Sequence, residues 1–126
     1  MSTFRHPVEI SAGLEGPFEA VDALVDSGAT YTLLPGSVLR RLGVQPVDRQ
    51  RFIVADGRQI ERDLGEAIVR IGSRTRSTVV IFGDEGADAL LGAVTLEEFG
   101  LGVDTIGHQL IPVPGYLVGL GQEDAP

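Results

Sequence analysis

The chain has no cysteine, no tryptophan and no lysine, and its 126 residues include only 5 Phe and 2 Tyr. Without Cys there is no disulfide, no thiol nucleophile and no thiolate metal ligand. Without Lys all 10 cations are Arg, which reads as a base-composition bias of the host genome rather than a functional signal. Positive charge is scarce against 18 Asp and Glu, and the net charge of -8 argues against nucleic acid or an anionic membrane as a partner. No run approaches the roughly 20 apolar residues that cross a bilayer. The N-terminus MSTFRHPVEI has no apolar leader region. These absences predict a cytoplasmic protein.

What is present is a composition of 43% hydrophobic residues, with 17 Gly and 7 Pro. That length and composition predict one domain over residues 1–126 with a core of its own, built from short strands and many turns. Seven of the ten Arg fall between Arg49 and Arg76, interleaved with Asp and Glu. Such a mixed run predicts a solvated strand surface rather than an anion-binding patch.

Period-two patterning predicts strands over residues 4–10 and 18–25, and a short one over 31–34. Pro35-Gly36-Ser37 opens a brief helix with Val38 and Leu42 as i,i+4 partners, and Gly43 sits where a left-handed cap belongs. Strands over residues 51–54 and 59–64 flank Ala55-Asp56-Gly57-Arg58, a strong hairpin signal. A further pair is expected over residues 66–71 and 78–82, joined across 72–77. Thr95 and Glu98 fit a capping box for a second short helix, ended by Gly100. Residues 103–104 and 109–113 read as a last hairpin. The apolar tail over residues 116–120 either covers the chain's own barrel or forms an interface, and the terminal GQEDAP is expected to fray.

The stretch Leu24-Val25-Asp26-Ser27-Gly28-Ala29-Thr30 delivers a carboxylate from an apolar strand straight into a tight turn. Ala23-Leu24-Val25 leads in and Leu33-Leu34 leads out, so the turn is expected within the core rather than on the rim. Leu90-Leu91-Gly92 follows some sixty residues later, ahead of a short helix, with the Gly-tipped hairpin between. In this order and spacing the chain resembles the retropepsins, the single-lobed aspartic proteases of retroviruses and their bacterial and eukaryotic relatives. The resemblance runs from about residue 18 to residue 112.

It implies an all-β fold: a closed barrel of the acid-protease type with a flap hairpin and one or two short helices. It implies an aspartic endopeptidase with Asp26 as the catalytic carboxylate. Gly28 lets its backbone approach Asp26 and offers its N–H, and Thr30 is placed to hydrogen-bond the outer oxygen. Ser27 reaches across a subunit boundary, Ala29 completes the loop, and Leu91 and Gly92 brace it from below. Ala55, Asp56 and Gly57 form the flap tip, charged at Asp56 where the viral enzymes are Gly-rich. One Asp-Ser-Gly supplies half of a carboxylate dyad, so the resemblance implies a homodimer acting on a peptide or protein, with no cofactor and no metal.

Other readings of these residues are blander. Asp26 in a non-catalytic turn, on a retropepsin-fold binding or dimerisation module, is the alternative from a different class. Asp104 in Val-Asp-Thr-Ile-Gly echoes the first motif with its Gly displaced by one place, and reads as a turn residue at a strand end. His6 and His108 have no neighbours at metal-ligand spacing. Ser27 lies in no Gly-x-Ser-x-Gly context and is not read as a nucleophile.

Overall fold

Alternating apolar and polar side chains place the first strands. In the computed structural model, which describes residues 4–120, β1 (Phe4–Ser11) and β2 (Glu19–Val25) pair antiparallel, with Phe4 opposite Val25. Val8, Ile10, Ala23 and Val25 point inward and are buried. β3 (Thr32–Pro35) follows the Asp26 loop, and α1 (Gly36–Leu42) starts at once. Gly43 stops that helix at φ 93, a conformation open to Gly because it has no Cβ to clash. Residues 121–126, expected to fray, lie outside the described part.

β4 (Asp48–Ile53) pairs with β5 (Gln59–Ile71), and β5 with β6 (Arg74–Gly83). The dipeptide β7 (Leu90–Leu91) runs parallel to β2 and antiparallel to β3. It leads directly into α2 (Ala93–Glu98). β8 (Leu101–Asp104) and β9 (Gln109–Pro112) form a separate two-stranded sheet. The large sheet has the order β1-β2-β7-β3-β6-β5-β4, and β1 also pairs with β5. Its hydrogen-bonded circuit therefore returns to its start, with β4 left outside as the free edge. The class is all-β, and the core inside the circuit is built on Ile10, Leu34, Leu39, Val69, Val80, Leu91 and Phe99.

Two elements differ from expectation. β5 is one strand, not two separated at Gly65. Gly65 is there for space rather than for a break: an added Cβ would lie 2.8 Å from Gln45 O and 3.0 Å from Phe82 Cε1. With β5 continuous, its turn into β6 shrinks to Gly72-Ser73, and β6 begins at Arg74 instead of Thr78. Thr95 is also not a cap. Leu91 is pinned in β7, so the chain turns immediately and Gly92 takes the N-cap position, while Thr95 falls on the buried face of α2.

Most of the Arg-rich run is a solvated surface, as its composition predicts. Arg49 meets Asp63 at 2.8 Å and Arg70 meets Glu9 at 2.9 Å. The Glu9 carboxylate is held below its ordinary acidity range by its hydrogen bond to Arg70. Exposed pairs of this kind contribute little each. The apolar tail does not cover the barrel: Tyr116, Leu117 and Val118 are 89%, 73% and 89% exposed. No helix among the described residues is long and apolar enough to cross a membrane.

Candidate active site

The Asp26 loop is fixed at its entry, at its exit and from beneath. At the entry, Leu24 N–H donates to Ala89 O at 2.8 Å and Asp26 N–H to Leu91 O at 3.0 Å, continuing the β2–β7 pairing to the loop itself. Within the loop, Ala29 N–H donates to Asp26 O at 3.1 Å, and Gly28 N–H donates to Asp26 Oδ1 at 2.9 Å. At the exit, Ala93 N–H donates to Ala29 O at 2.8 Å and Val94 N–H to Thr30 O at 2.9 Å. The first N–H groups of a helix have no partner inside the helix. Here the loop's own carbonyls take two of them, so α2 and the loop hold each other.

Gly92 makes that contact possible. An added Cβ would lie 2.5 Å from both C and O of Tyr31. Beneath it, three buried hydroxyls are linked: Gly92 N–H donates to Thr32 Oγ1 at 3.1 Å, Thr32 and Thr95 share a bond of 2.7 Å, and Thr95 and Thr78 one of 2.8 Å. Thr78 in turn donates to Glu98 Oε1 at 2.6 Å.

Above the loop is a cleft of about 670 Å³. Asp26, Gly28, Ala29 and Thr30 form part of its lining, and Phe52 to Ala55 with Ile60 form the wall from the β4–β5 hairpin. Tyr31, next to the loop, packs edge-to-face on Phe52 with ring centroids 6.4 Å apart, a favoured aromatic geometry. The hairpin tip is a three-residue loop of Ala55-Asp56-Gly57. Gly57 N–H donates to Val54 O at 2.8 Å, Val54 N–H to Arg58 O at 2.9 Å, and Gly57 is left-handed at φ 88. That is a type I turn followed by a Gly bulge rather than the two-residue turn an Asp-Gly pair most often makes. Asp56 accepts from Arg58 N at 3.0 Å and Arg58 Nε at 2.7 Å, and these bonds hold its carboxyl below its ordinary range.

The structure thus brings together Asp26, Gly28, Ala29, Thr30 and Ala55 in one cleft, with Leu91 and Gly92 below. Asp56 and Gly57 lie beyond the lining, at the tip. Thr30 meets the helix through its carbonyl, and its side chain has no bond to Asp26. One expectation is corrected. The turn is not within the core: Asp26 is half-buried, and Ser27, Gly28 and Thr30 are exposed. The apolar flanks belong to β2 and β3, whose inward residues are buried, whereas the turn projects from their ends. The sequence reading missed Arg62 and Asp84, which line the cleft as an ion pair at 2.8 Å. It also missed the threonine chain, whose signal is a hydroxyl in phase with apolar residues: Thr32 with Leu34, and Thr78 with Val80 and Phe82.

A protein-family model described as gag-polyprotein putative aspartyl protease matches residues 13–98. A search of curated proteins found no match. Among solved structures, the EIAV protease complexed with the inhibitor HBY-793 is 18% identical with a TM-score of 0.60, over 77% of this chain and 88% of that one. The retroviral protease-like domain of Ddi1 from Leishmania major is 20% identical with a TM-score of 0.57, over 89% of each chain. The protease of simian foamy virus (mac) is 19% identical with a TM-score of 0.52, over 75% of this chain and 94% of that one. At these identities the likeness is one of fold, and it is a retropepsin-like fold.

Proposed function

Because the chain belongs to the gag-polyprotein putative aspartyl protease family, we propose that it is an aspartic endopeptidase that works as a homodimer, with Asp26 as its catalytic carboxylate. The observation that carries this reading is Asp26 at the strand end, half-buried, in a cleft walled by a hairpin. The cleft's other carboxylate, Asp84, is already engaged by Arg62 at 2.8 Å. A second catalytic carboxylate therefore comes from a second copy of the chain, across a two-fold axis beside the exposed Ser27 and Gly28.

Two carboxylates about 3 Å apart cannot both be ionised, so they share one proton. The ionised one takes a proton from a water, whose oxygen attacks the scissile carbonyl carbon. The protonated one donates to the carbonyl oxygen. Collapse of the tetrahedral species breaks the C–N bond, and the amine leaves with a proton from the dyad. The pair as a unit owns the apparent acidities. The substrate binds as an extended strand under the hairpin, with Phe52, Val54 and Ile60 facing its side chains. Ser27 ties the two loops together, and the exposed tail residues Tyr116, Leu117 and Val118 supply apolar surface for the dimer.

The test is specific activity on a peptide library at several protein concentrations, run beside sedimentation. Activity should fall on dilution through the dimer dissociation constant and be blocked by a statine-type mimic of the tetrahedral species. Deletion from Gly115 onward should yield inactive, folded monomers. A strictly monomeric protein that cleaves at concentration-independent specific activity overturns the shared dyad. A dimer that neither cleaves nor binds the mimic is a binding module instead.

A further inference from the structure

The buried hydroxyls beneath Gly92 form a chain whose direction is set by its two ends. Thr32, Thr95 and Thr78 are 2%, 0% and 2% exposed, and each hydroxyl carries one proton. An ionised carboxylate only accepts, so Thr78 donates to Glu98 Oε1. With its proton spent there, Thr78 accepts from Thr95, and Thr95 accepts from Thr32. Thr32 Oγ1 is then left to accept from Gly92 N–H. Every donor has an acceptor, and no buried side-chain polar atom among the described residues lacks a partner.

We propose that Thr32, Thr95, Thr78 and Glu98 are positioning residues for the peptidase reaction. They fix the backbone at Leu91-Gly92, whose Leu91 carbonyl holds Asp26 N–H at 3.0 Å; the inference rests on the reading of Asp26 as catalytic. Glu98 is exposed, yet it terminates a line of bonds that ends at the loop brace. Without its acceptor the three hydroxyls must leave one proton unpaired. If the direction holds, the unpaired proton is that of Thr78. If it reverses, the unpaired proton is that of Thr32, directly under Gly92. The carboxylate is what sets the direction, so without it both directions are open and the brace loses its single arrangement. The effect reaches Asp26 through the backbone, with no change to any residue that lines the cleft.

The test uses the full chain with Thr95→Val, which keeps the shape and removes the hydroxyl, Thr95→Ser, Glu98→Ala and Glu98→Gln. Two readouts are taken: hydrogen exchange at the Gly92 and Asp26 amides, and kcat and KM on a cleaved peptide. Thr95→Val and Glu98→Ala should accelerate exchange at both amides and lower kcat about tenfold, with KM close to wild type. Thr95→Ser and Glu98→Gln, which restore a hydroxyl and an acceptor, should recover both readouts. Wild-type exchange and kcat in Thr95→Val and Glu98→Ala together would overturn the proposal. If Thr95→Val does not fold, Glu98→Ala decides alone, because Glu98 is on the surface. If wild type itself cleaves nothing, the peptidase reading fails while the exchange measurement still decides the relay.

Discussion

Two of the strands, β2 and β8, each send an aspartate into a turn that contains a glycine, and the two turns are built for opposite ends. After Val25 comes Asp26-Ser27-Gly28; after Val103 comes Asp104-Thr105-Ile106-Gly107. Asp104 spends its carboxylate on its own turn. It accepts from Ile106 N and Gly107 N, both at 3.0 Å, and from Gln109 Nε2 at 3.4 Å, and the Gly107 bond above all holds its carboxyl below the ordinary range. It sits on a two-stranded sheet with no strand pairing to the large one. Asp26 takes one backbone hydrogen bond, from Gly28, and faces the cleft. Its turn is braced instead from outside, by Leu91, α2 and Gly92. A carboxylate that closes its own turn has less capacity left for a substrate. One whose turn is held by other elements keeps an oxygen for chemistry.

The sharpest way to break this comparison is to remove both charges in turn. Asp26→Asn should lower peptide cleavage about a thousandfold or more, as loss of a group acting directly on the reacting atoms does, with fold retained by circular dichroism. Asp104→Asn should leave kcat/KM within about twofold of wild type. Equal losses in the two variants would show that the turns do not differ in role.

The braces make the next contrast. Gly92→Ala places a Cβ 2.5 Å from the Tyr31 backbone, which cannot swing aside. We expect a loss of about 3 kcal/mol in denaturant unfolding. In Gly107→Ala the new Cβ lies 2.6 Å from Asp104 Oδ2, the mobile end of a side chain, so less than about 1 kcal/mol is expected. Comparable midpoints for the two variants would remove the argument that Gly92 is there for close approach.

A smaller effect is expected at the hairpin tip. Gly57 is left-handed with open space around it, so Gly57→Val costs backbone strain of about 1–2 kcal/mol without a clash. Turnover should fall roughly tenfold, the unfolding midpoint should drop by no more than that strain accounts for, and Gly57→Asn, which tolerates that conformation, should lie close to wild type. Cleavage by the Val variant at the wild-type rate would show that the hairpin takes no part in catalysis.

The smallest effect is on pH. The Asp104 carboxyl is held below its ordinary value of 3.8, so the folded form binds this proton less readily than the unfolded chain. Its contribution is complete above about pH 4 and is lost as pH falls through the lower folded value. The Asp104 carboxyl carbon signal should titrate in that acid window. A midpoint for that carbon at or above 3.8 would contradict the assigned bonds.

Much of the fold and the loop could be read from the residues, because the signals were local. The Gly43 cap, the strands around the Asp-Gly tip and the Leu-Leu-Gly step into α2 each depend on neighbours in sequence. Three features escaped because their causes are distant. Gly65 looked like a break, but it is set by Gln45 and by Phe82 on the neighbouring strand, both distant in sequence. Thr95 and Glu98 have the spacing of a capping box, but their hydroxyl and carboxylate are taken up by Thr32 and Thr78 on other strands. Arg62 looked like one more surface cation in a mixed run. Only the pairing of β5 with β6 brings it to Asp84 and the cleft.

The unbroken β5 makes the hairpin a cantilever. From Leu64 to Ile71 the strand is pinned along β6, and between Ile68 and Arg70 along β1 as well. From Gln59 to Asp63 it is paired only with β4. The clamp is therefore at Leu64, five residues from the start of the overhang, or about 17 Å of strand. A tilt of about 10° there carries Gln59 about 3 Å and the tip beyond it farther, with no ladder bond broken inboard of the clamp. Gly65, wedged between Gln45 and Phe82, stiffens the root of that beam.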